Sequence, residues 1–496
     1  MKHAVTVLPA DKTVFAEEGE SLLDVLAQNG FFLPAACGGK GTCGKCRVRL
    51  IKGGVKGTEA DADGWILSCR ARVIEDLQIE LPEHKKGASE RLGTGDARSV
   101  NAKKTGVALD IGTTTLAAAL VDCDTGEILS TASRLNPQGV CGADVLARIV
   151  AYGEGKGEIM QTLILDTVRD MIEELTPNTG AESLVIAANT TMLHLFLGED
   201  PTSIGAYPFI PRFTDAREKS GAELGLNLPT VRLLPSVSAY IGADVTAGAI
   251  ACGMDGSEQT LLLVDVGTNG EILLVHKGSL YATSAAAGPA LEGACIECGM
   301  GGTEGAINHV DVLDGTLSFD TVGAKPAVGI CGCGLIDLVA LLVREGVIDE
   351  SGAWSDDSSS PLMRYLHGDR FVLCEGVYLS QKDIRQLQLA KAAISAAIEA
   401  LLTECGVAMN EIDEVFLAGG LGYYMNISNA AEIGLIPSSL ASRSRAVGNT
   451  SLLGAVKCLS DPAANERIQA LSRRVRVVEL SFSKAFQDAY IENMMF

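Results

Sequence analysis

Residues 107–120 read VALDIGTTTLAAAL, and residues 262–275 read LLVDVGTNGEILLV. Each is an apolar strand, an aspartate, a Gly-Thr turn and a second apolar strand, and the two aspartates, Asp110 and Asp265, stand 155 positions apart. An aspartate closing a buried strand before such a turn leaves backbone N–H groups and hydroxyls facing a cleft that can hold phosphate oxygens. One copy would be weak, because Asp-Gly pairs also mark ordinary turns. Two copies in the same strand context predict two similar subdomains facing each other. Residues 414–424, EVFLAGGLGYY, add a buried strand that ends in Gly419, Gly420 and Gly422, a turn where a nucleoside can approach the backbone closely.

The expected nucleotide contacts are Gly112, Thr113, Thr114 and Thr115 in the first turn and Gly267, Thr268 and Asn269 in the second, with Gly419, Gly420 and Gly422 beyond. Asp110 and Asp265 are expected near the Mg2+ of ATP rather than on phosphate itself, since carboxylates bind that ion through oxygen, commonly by way of its waters. Asp244, in SVSAYIGADVTAGA, is the candidate to orient water or metal. Asp144, in GADVLARI, is comparable, and for both the plain alternative is a carboxylate favoured at the start of a helix.

Outward from these turns the chain changes character. The segment from about Pro82 to Lys104 is charged and nearly free of large apolar residues, too poor to order itself by burial, and reads as a flexible linker. Beyond it, strands alternate with helices in the manner of an α/β fold. Before it, residues 3–16 alternate with period two like a hairpin. Ser21 stands where an N-cap would start the helix SLLDVLAQNG, Gly30 ends that helix, and a glycine-rich cysteine loop and further strands follow. That order suits a small β-grasp domain. The predicted division is residues 1–81, a linker at 82–104, and 105–496 in two lobes of roughly 105–258 and 259–496.

Fourteen cysteines in a chain of 496 residues with no secretion signal point to metal or redox chemistry rather than a disulfide framework. Cys37, Cys43 and Cys46 are separated by five and two residues, and 22 residues lie between Cys46 and Cys69. Three thiolates on one glycine-rich loop plus one distant thiolate is how plant-type ferredoxins wrap a 2Fe-2S cluster. The first gap is one residue longer than usual, an expansion that Gly38, Gly39 and Gly41 absorb. A four-thiolate zinc site is the rival, but such sites pair their cysteines as two separate knuckles. Cys295, Cys298, Cys331 and Cys333 lie in tight Gly-rich surroundings and read as small packing thiols. His194 reads as a core or hinge histidine, and Lys391 as a solvated lysine on an amphipathic helix.

The formal charge of -22 repels phosphate backbones and anionic lipid surfaces, so nucleic acid is not an expected partner. No apolar run reaches the 18 or so residues of a membrane span, and a cytoplasmic location is expected.

The paired turns resemble the acetate and sugar kinase, Hsp70 and actin superfamily, whose duplicated α/β lobes close over ATP. With the ferredoxin loop, the whole chain resembles the reductive activators of corrinoid-dependent methyltransferases. The matching blocks include DIGTTT at Asp110–Thr115, NPQGVCGADVLARI at Asn136–Ile149 and ANTTMLHLFLG at Ala188–Gly198. They continue with DVGTNGEI at Asp265–Ile272, GPALEGACIECGM at Gly288–Met300, GICGCGLIDL at Gly329–Leu338, SQKDIRQLQLAKAAI at Ser380–Ile394 and LAGGLG at Leu417–Gly422. The resemblance implies an α/β multidomain protein with an N-terminal β-grasp 2Fe-2S ferredoxin domain and duplicated actin/Hsp70-like ATPase lobes. It implies a corrinoid protein as partner, returned from Co(II) to Co(I) by one electron at the expense of ATP, and an upstream low-potential electron donor. Lys391 recurs in the family block at the lobe hinge. Some members have a separate middle domain that contributes to a homodimer; here only the short tether is read in that place. Other members carry 4Fe-4S motifs near the C-terminus, and no cysteine follows Cys458 here. Rival readings are an ATP-driven donor to another low-potential enzyme, as in dehydratase activators, a small-molecule kinase with a fused ferredoxin, and an actin-like assembly protein.

Overall fold

The computed structural model describes residues 2–29, 31, 33, 41, 46–82, 104–177, 180–313, 315–356, 358–420, 425–480 and 482–496. Cys37, Cys43, Gly422 and nearly all of the expected linker lie outside the described residues.

The N-terminal alternation folds as expected. Strand Lys2–Leu8 pairs antiparallel with Lys12–Glu17, and Val5, Val7, Val14 and Ala16 turn inward. Strand Leu77–Glu80 then lies parallel beside the first, with Val5 opposite Leu77, and Arg47–Lys52 and Trp65–Leu67 complete a five-stranded sheet. Helix Leu22–Gln28 buries Leu22, Leu23, Val25 and Leu26 in the domain's core, giving the β-grasp arrangement. Ser21 makes no side-chain cap. The first helical N–H groups go instead to carbonyls across the domain, Leu22 to Ala71 at 2.9 Å and Leu23 to Ser68 at 3.2 Å, which satisfies them without a hydroxyl. The helix stops at Asn29, whose side chain donates back to Val25 O at 2.8 Å.

The two echoed segments become the central hairpins of two six-stranded sheets built on one plan. In the first, Thr105–Ile111, Thr115–Asp122 and Ile128–Leu135 form an antiparallel meander, and Ser183–Ala188 joins Thr105–Ile111 in parallel on its other side. In the second, Leu261–Val266, Gly270–His276 and Ser279–Ala285 repeat the meander, with Glu414–Ala418 parallel to Leu261–Val266. Asp110 lies opposite Ala187, and Asp265 opposite Ala418. Both aspartates therefore stand at the carboxyl ends of parallel strand pairs, where open α/β sheets bind ligands.

Period-two alternation sorts the second sheet's faces. Leu261, Leu263, Leu273 and Val275 belong to the core shared with the first lobe, while Leu262, Val264, Ile272 and Leu274 feed the core of the second. Between the sheets lie helices Ala243–Ala251 and Thr450–Ser460, which cross at very short range. A Cβ on Gly454 would stand 2.1 Å from the Ala247 carbonyl, so only glycine permits the approach. Helix Thr450–Ser460 comes from the second half of the chain yet packs on strand Thr105–Ile111 of the first sheet. A boundary at 258 thus follows the chain but not the packing. No helix among the described residues is long and apolar enough to cross a membrane.

Candidate functional site

The first turn is held from behind. Gly112 N–H closes it on Thr115 O at 3.0 Å, and the Asn136 backbone N–H donates to Thr114 O at 2.7 Å. The Asn136 side chain donates to Gly112 O at 2.8 Å, the Asn189 side chain to Thr113 Oγ1 at 3.1 Å, and the Arg148 guanidinium to Thr113 O. Asp110 is held by the segment 449–451, where Asn449 Nδ2 and Ser451 Oγ donate to its two oxygens at 2.8 and 2.7 Å. Burial raises the Asp110 pKa against the lowering effect of these bonds.

The second turn mirrors the first less rigidly. Gly267 N–H bonds Asn269 O at 3.1 Å, and Gly288 N–H bonds Thr268 O at 2.8 Å. Thr268 Oγ1 is buried with no hydrogen-bond partner among the described residues. Thr114 Oγ1 donates to Glu292 Oε2, tying the first turn to the loop after strand Ser279–Ala285 of the second lobe. Gly419 takes φ +101°, and a Cβ there would stand 2.5 Å from Val266 O and 2.8 Å from Asp265 Oδ1. Gly419 is thereby pressed against the second aspartate.

The shared space is crowded with acids that burial makes costly to ionise. Burial pushes Asp265 up to about 8, with Asp244, Asp110 and Glu292 adding to the shift. Burial, with Asp110 close by, pushes Asp244 up to about 7. Glu271, directly across the hairpin from Asp265, is raised well above the ordinary range by burial and then by Asp244 and Asp265. Five carboxyl groups therefore converge: Asp110, Asp244, Asp265, Glu271 and Glu292. Each carboxylate raises the cost of ionising the next, and a divalent cation or the Mg2+ of a nucleotide would relieve that cost.

The two aspartates that the sequence left comparable separate here. Asp144 caps helix Val145–Ala151 through the Ala147 N–H at 2.7 Å, the plain helix-start role, whereas Asp244 faces Asp110 and Asp265. Glu271, Glu292, Asn449, Ser451, Asn136, Asn189 and Arg148 were not singled out from the sequence. Five of them lay inside blocks quoted above for the resemblance; Asn449 and Ser451 had no local signal.

Lys391 corrects the sequence reading. It is not solvated: it is 1% exposed, donates to the Met495 carbonyl and sits 5.0 Å from the centre of the Phe496 ring, and burial lowers its pKa to about 8. His194 is a core histidine as expected, stacked on Phe213 with Nδ1 2.7 Å from Thr190 O and Nε2 accepting from the Arg212 N–H at 3.1 Å. Cys331 occupies the N-cap position of helix Gly332–Arg344, and Cys331 and Cys333 share a small core with Ala306. Among the described residues no three metal-ligating side chains are grouped to hold an ion.

At the cysteine loop, the described part fits a cluster. Cys46 and Cys69 are both buried, and Ser68 donates its N–H and its hydroxyl to Cys46 O, each at 2.9 Å, which brings the two cysteine segments together. Gly41, at φ +74°, lies against the Arg70 side chain so closely that a Cβ would meet Nε at 2.1 Å. Gly41, which lies between the first two cysteines in sequence, is thus set against the segment carrying the fourth.

Comparison with known proteins assigns the chain in three consecutive pieces. Residues 5–73 match the 2Fe-2S iron-sulfur cluster binding domain, 105–257 the RACo middle region, and 259–496 the C-terminal domain of RACo, the ASKHA domain. The match to the RACo middle region coincides with the first lobe, 105–258 in the sequence reading, and the segment before it is still only 82–104. The corrinoid activation enzyme RamQ of Eubacterium limosum is 31% identical over 417 residues, covering 79% of this chain and 70% of that protein. The Co(II) methylated amine-specific corrinoid protein reductase of Methanosarcina barkeri is 25% identical over 428 residues, covering 78% and 76%. A solved reductive activator for corrinoid, iron-sulfur protein superposes with a TM-score of 0.74 at 28% identity, covering 100% of this chain and 98% of its own.

Proposed function

The chain belongs to the RACo family of corrinoid reductive activators, and on that premise we propose that it couples ATP turnover in the cleft to one-electron reduction of a corrinoid protein from Co(II) to Co(I). The observation that carries this reading is the carboxylate-lined cleft between two phosphate-type turns, in one chain with a ferredoxin domain. Cys46 and Cys69 would hold the 2Fe-2S cluster together with Cys37 and Cys43. When bound, such a group supplies one-electron transfer at about -400 mV.

The corrinoid couple is expected lower still, so the transfer runs uphill by about 2.3 kcal/mol per 100 mV of deficit. MgATP is the substrate that offsets this. The turn 112–115 would cradle its phosphates through backbone N–H groups, with the Thr113 and Thr114 hydroxyls alongside, and Gly267, Thr268 and Asn269 would close from the other lobe. Asp110 and Asp265 would face the Mg2+ through its waters, and Asp244 would orient the attacking water. Gly419 and Gly420 would admit the nucleoside. ATP would act by differential affinity for open and closed lobes, not by phosphorylating a product. An upstream low-potential electron donor, a homodimer and a cytoplasmic setting belong to the same proposal.

The test mixes the reduced protein with a Co(II) corrinoid protein from the same cell and follows the visible spectrum with and without ATP. Co(I) should form only when ATP is present. Equal formation without ATP, or none with any such corrinoid protein, rejects the reading, and a product phosphorylated from ATP would favour a kinase.

A further inference from the structure

Among the described residues Arg148 is the largest fully buried side chain, 1% exposed, and no carboxylate lies within 4.0 Å of it. A buried cation without an ion pair is costly, and an apolar side chain of similar volume would be cheaper to bury. Its contacts are carbonyls and soft acceptors instead. Nε donates to Gly142 O at 2.9 Å, Nη1 to Met192 Sδ at 3.0 Å and to Gln138 Oε1 at 3.4 Å, and Nη2 to Thr113 O.

The last contact falls inside the first phosphate-type turn. A trans peptide is planar and points its C=O and its N–H in opposite directions. Holding Thr113 O toward the interior therefore turns the Thr114 N–H outward, on the side where the Thr114 hydroxyl reaches Glu292 across the cleft. Neither Thr113 N–H nor Thr114 N–H has an acceptor among the described residues. Behind the turn, the fork also places one positive charge next to a cleft whose five convergent groups are all acids.

We propose that Arg148 is a positioning residue for the nucleotide: it withdraws the Thr113 carbonyl from the phosphates and presents the Thr114 N–H to them. This rests on the reading of the cleft as an ATP site. Lysine at this position keeps charge but cannot span the same acceptors, and glutamine loses the charge as well.

The experiment uses the full cluster-bearing chain without any corrinoid protein and measures the Kd of a non-hydrolysable ATP analogue and the kcat and KM of ATP hydrolysis. R148Q and R148K should each weaken analogue binding by about tenfold or more, the scale of losing a charge-assisted bond, with cluster absorbance unchanged. R148A should regain analogue binding when ethylguanidinium is added, a recovery that a merely structural arginine would not predict. Analogue binding by R148K within twofold of wild type overturns the proposal, and so does failure of ethylguanidinium to restore R148A. Absence of nucleotide binding by the wild type would overturn the reading of the cleft itself, and this proposal with it.

Discussion

Asp265 and Asp244 keep their protons to unusually high pH because burial strips water from the charged form and each carboxylate disfavours the other. An unfolded aspartate titrates at about 3.9. Between that value and the folded values of about 8 and about 7, the native state holds protons that the unfolded state has released. Stability from these groups is therefore full below pH ~4 and is lost as pH rises toward ~8, at about 1.4 kcal/mol per unit per group before coupling. Melting temperature in EDTA should fall between pH 5 and pH 8, and MgATP should restore much of it. Asp265→Asn should flatten that profile and raise stability at pH 8, while lowering ATP hydrolysis by roughly a hundredfold or more; a variant with wild-type turnover would remove Asp265 from the chemistry. Asp110 and Asp265 were legible because an acid at the end of an apolar strand is a local pattern. Glu292 and Ser451 were not, because what brings them to the turns is a partner elsewhere in the chain: Thr114 lies 178 positions from Glu292, and Asp110 lies 341 from Ser451.

Helix Thr190–Leu197 shows how one cap serves two structures. Asn189 accepts from the Met192 N–H at 2.9 Å and donates to the Thr113 hydroxyl, so it starts the helix and steadies the phosphate-type turn at once. Asn189→Ala should cost about 1 kcal/mol of stability in urea unfolding and should also weaken nucleotide binding. Asn189→Ser, which keeps an acceptor for the cap but shortens the reach to Thr113, should recover most of the stability but not the binding. The crossing of helices Ala243–Ala251 and Thr450–Ser460 depends on Gly454, and Gly454→Val should cost about 3 kcal/mol or more by overpacking against a backbone carbonyl, read as a lowered melting temperature. The strands and the β-grasp helix were visible in the sequence as period-two and helical patterns. Ser21 failed as a cap because carbonyls of Ala71 and Ser68 took its place, an arrangement that exists only once the sheet has formed. The crossing helices were invisible for a related reason: small residues in an Ala-rich segment do not announce which backbone they will touch.

For the molecule as a whole, the cysteine spacing and the echoed turns were enough to foresee a ferredoxin domain ahead of duplicated lobes. The coincidence of the middle region with the first lobe was not, since it is a statement about relatives and leaves no mark in one sequence. Substituting Cys46 by serine should abolish corrinoid reduction and bleach the cluster's visible absorption while leaving ATP binding unchanged, because the thiol belongs to the N-terminal core and the carboxylates to the lobes. Reduction retained by that variant would overturn the ligand assignment. Helix Thr450–Ser460 carries one more lesson, for anyone exchanging parts between relatives. It is encoded between strands of the second sheet, with Asn449 as its N-cap, but supplies Asn449 and Ser451 to Asp110 and covers the first sheet. A chimaera that imports residues 105–257 alone would pair a foreign aspartate with native donors and a foreign sheet with a native lid. Such hybrids should inherit their parents' activity only when the segment around 449–460 travels with the first lobe.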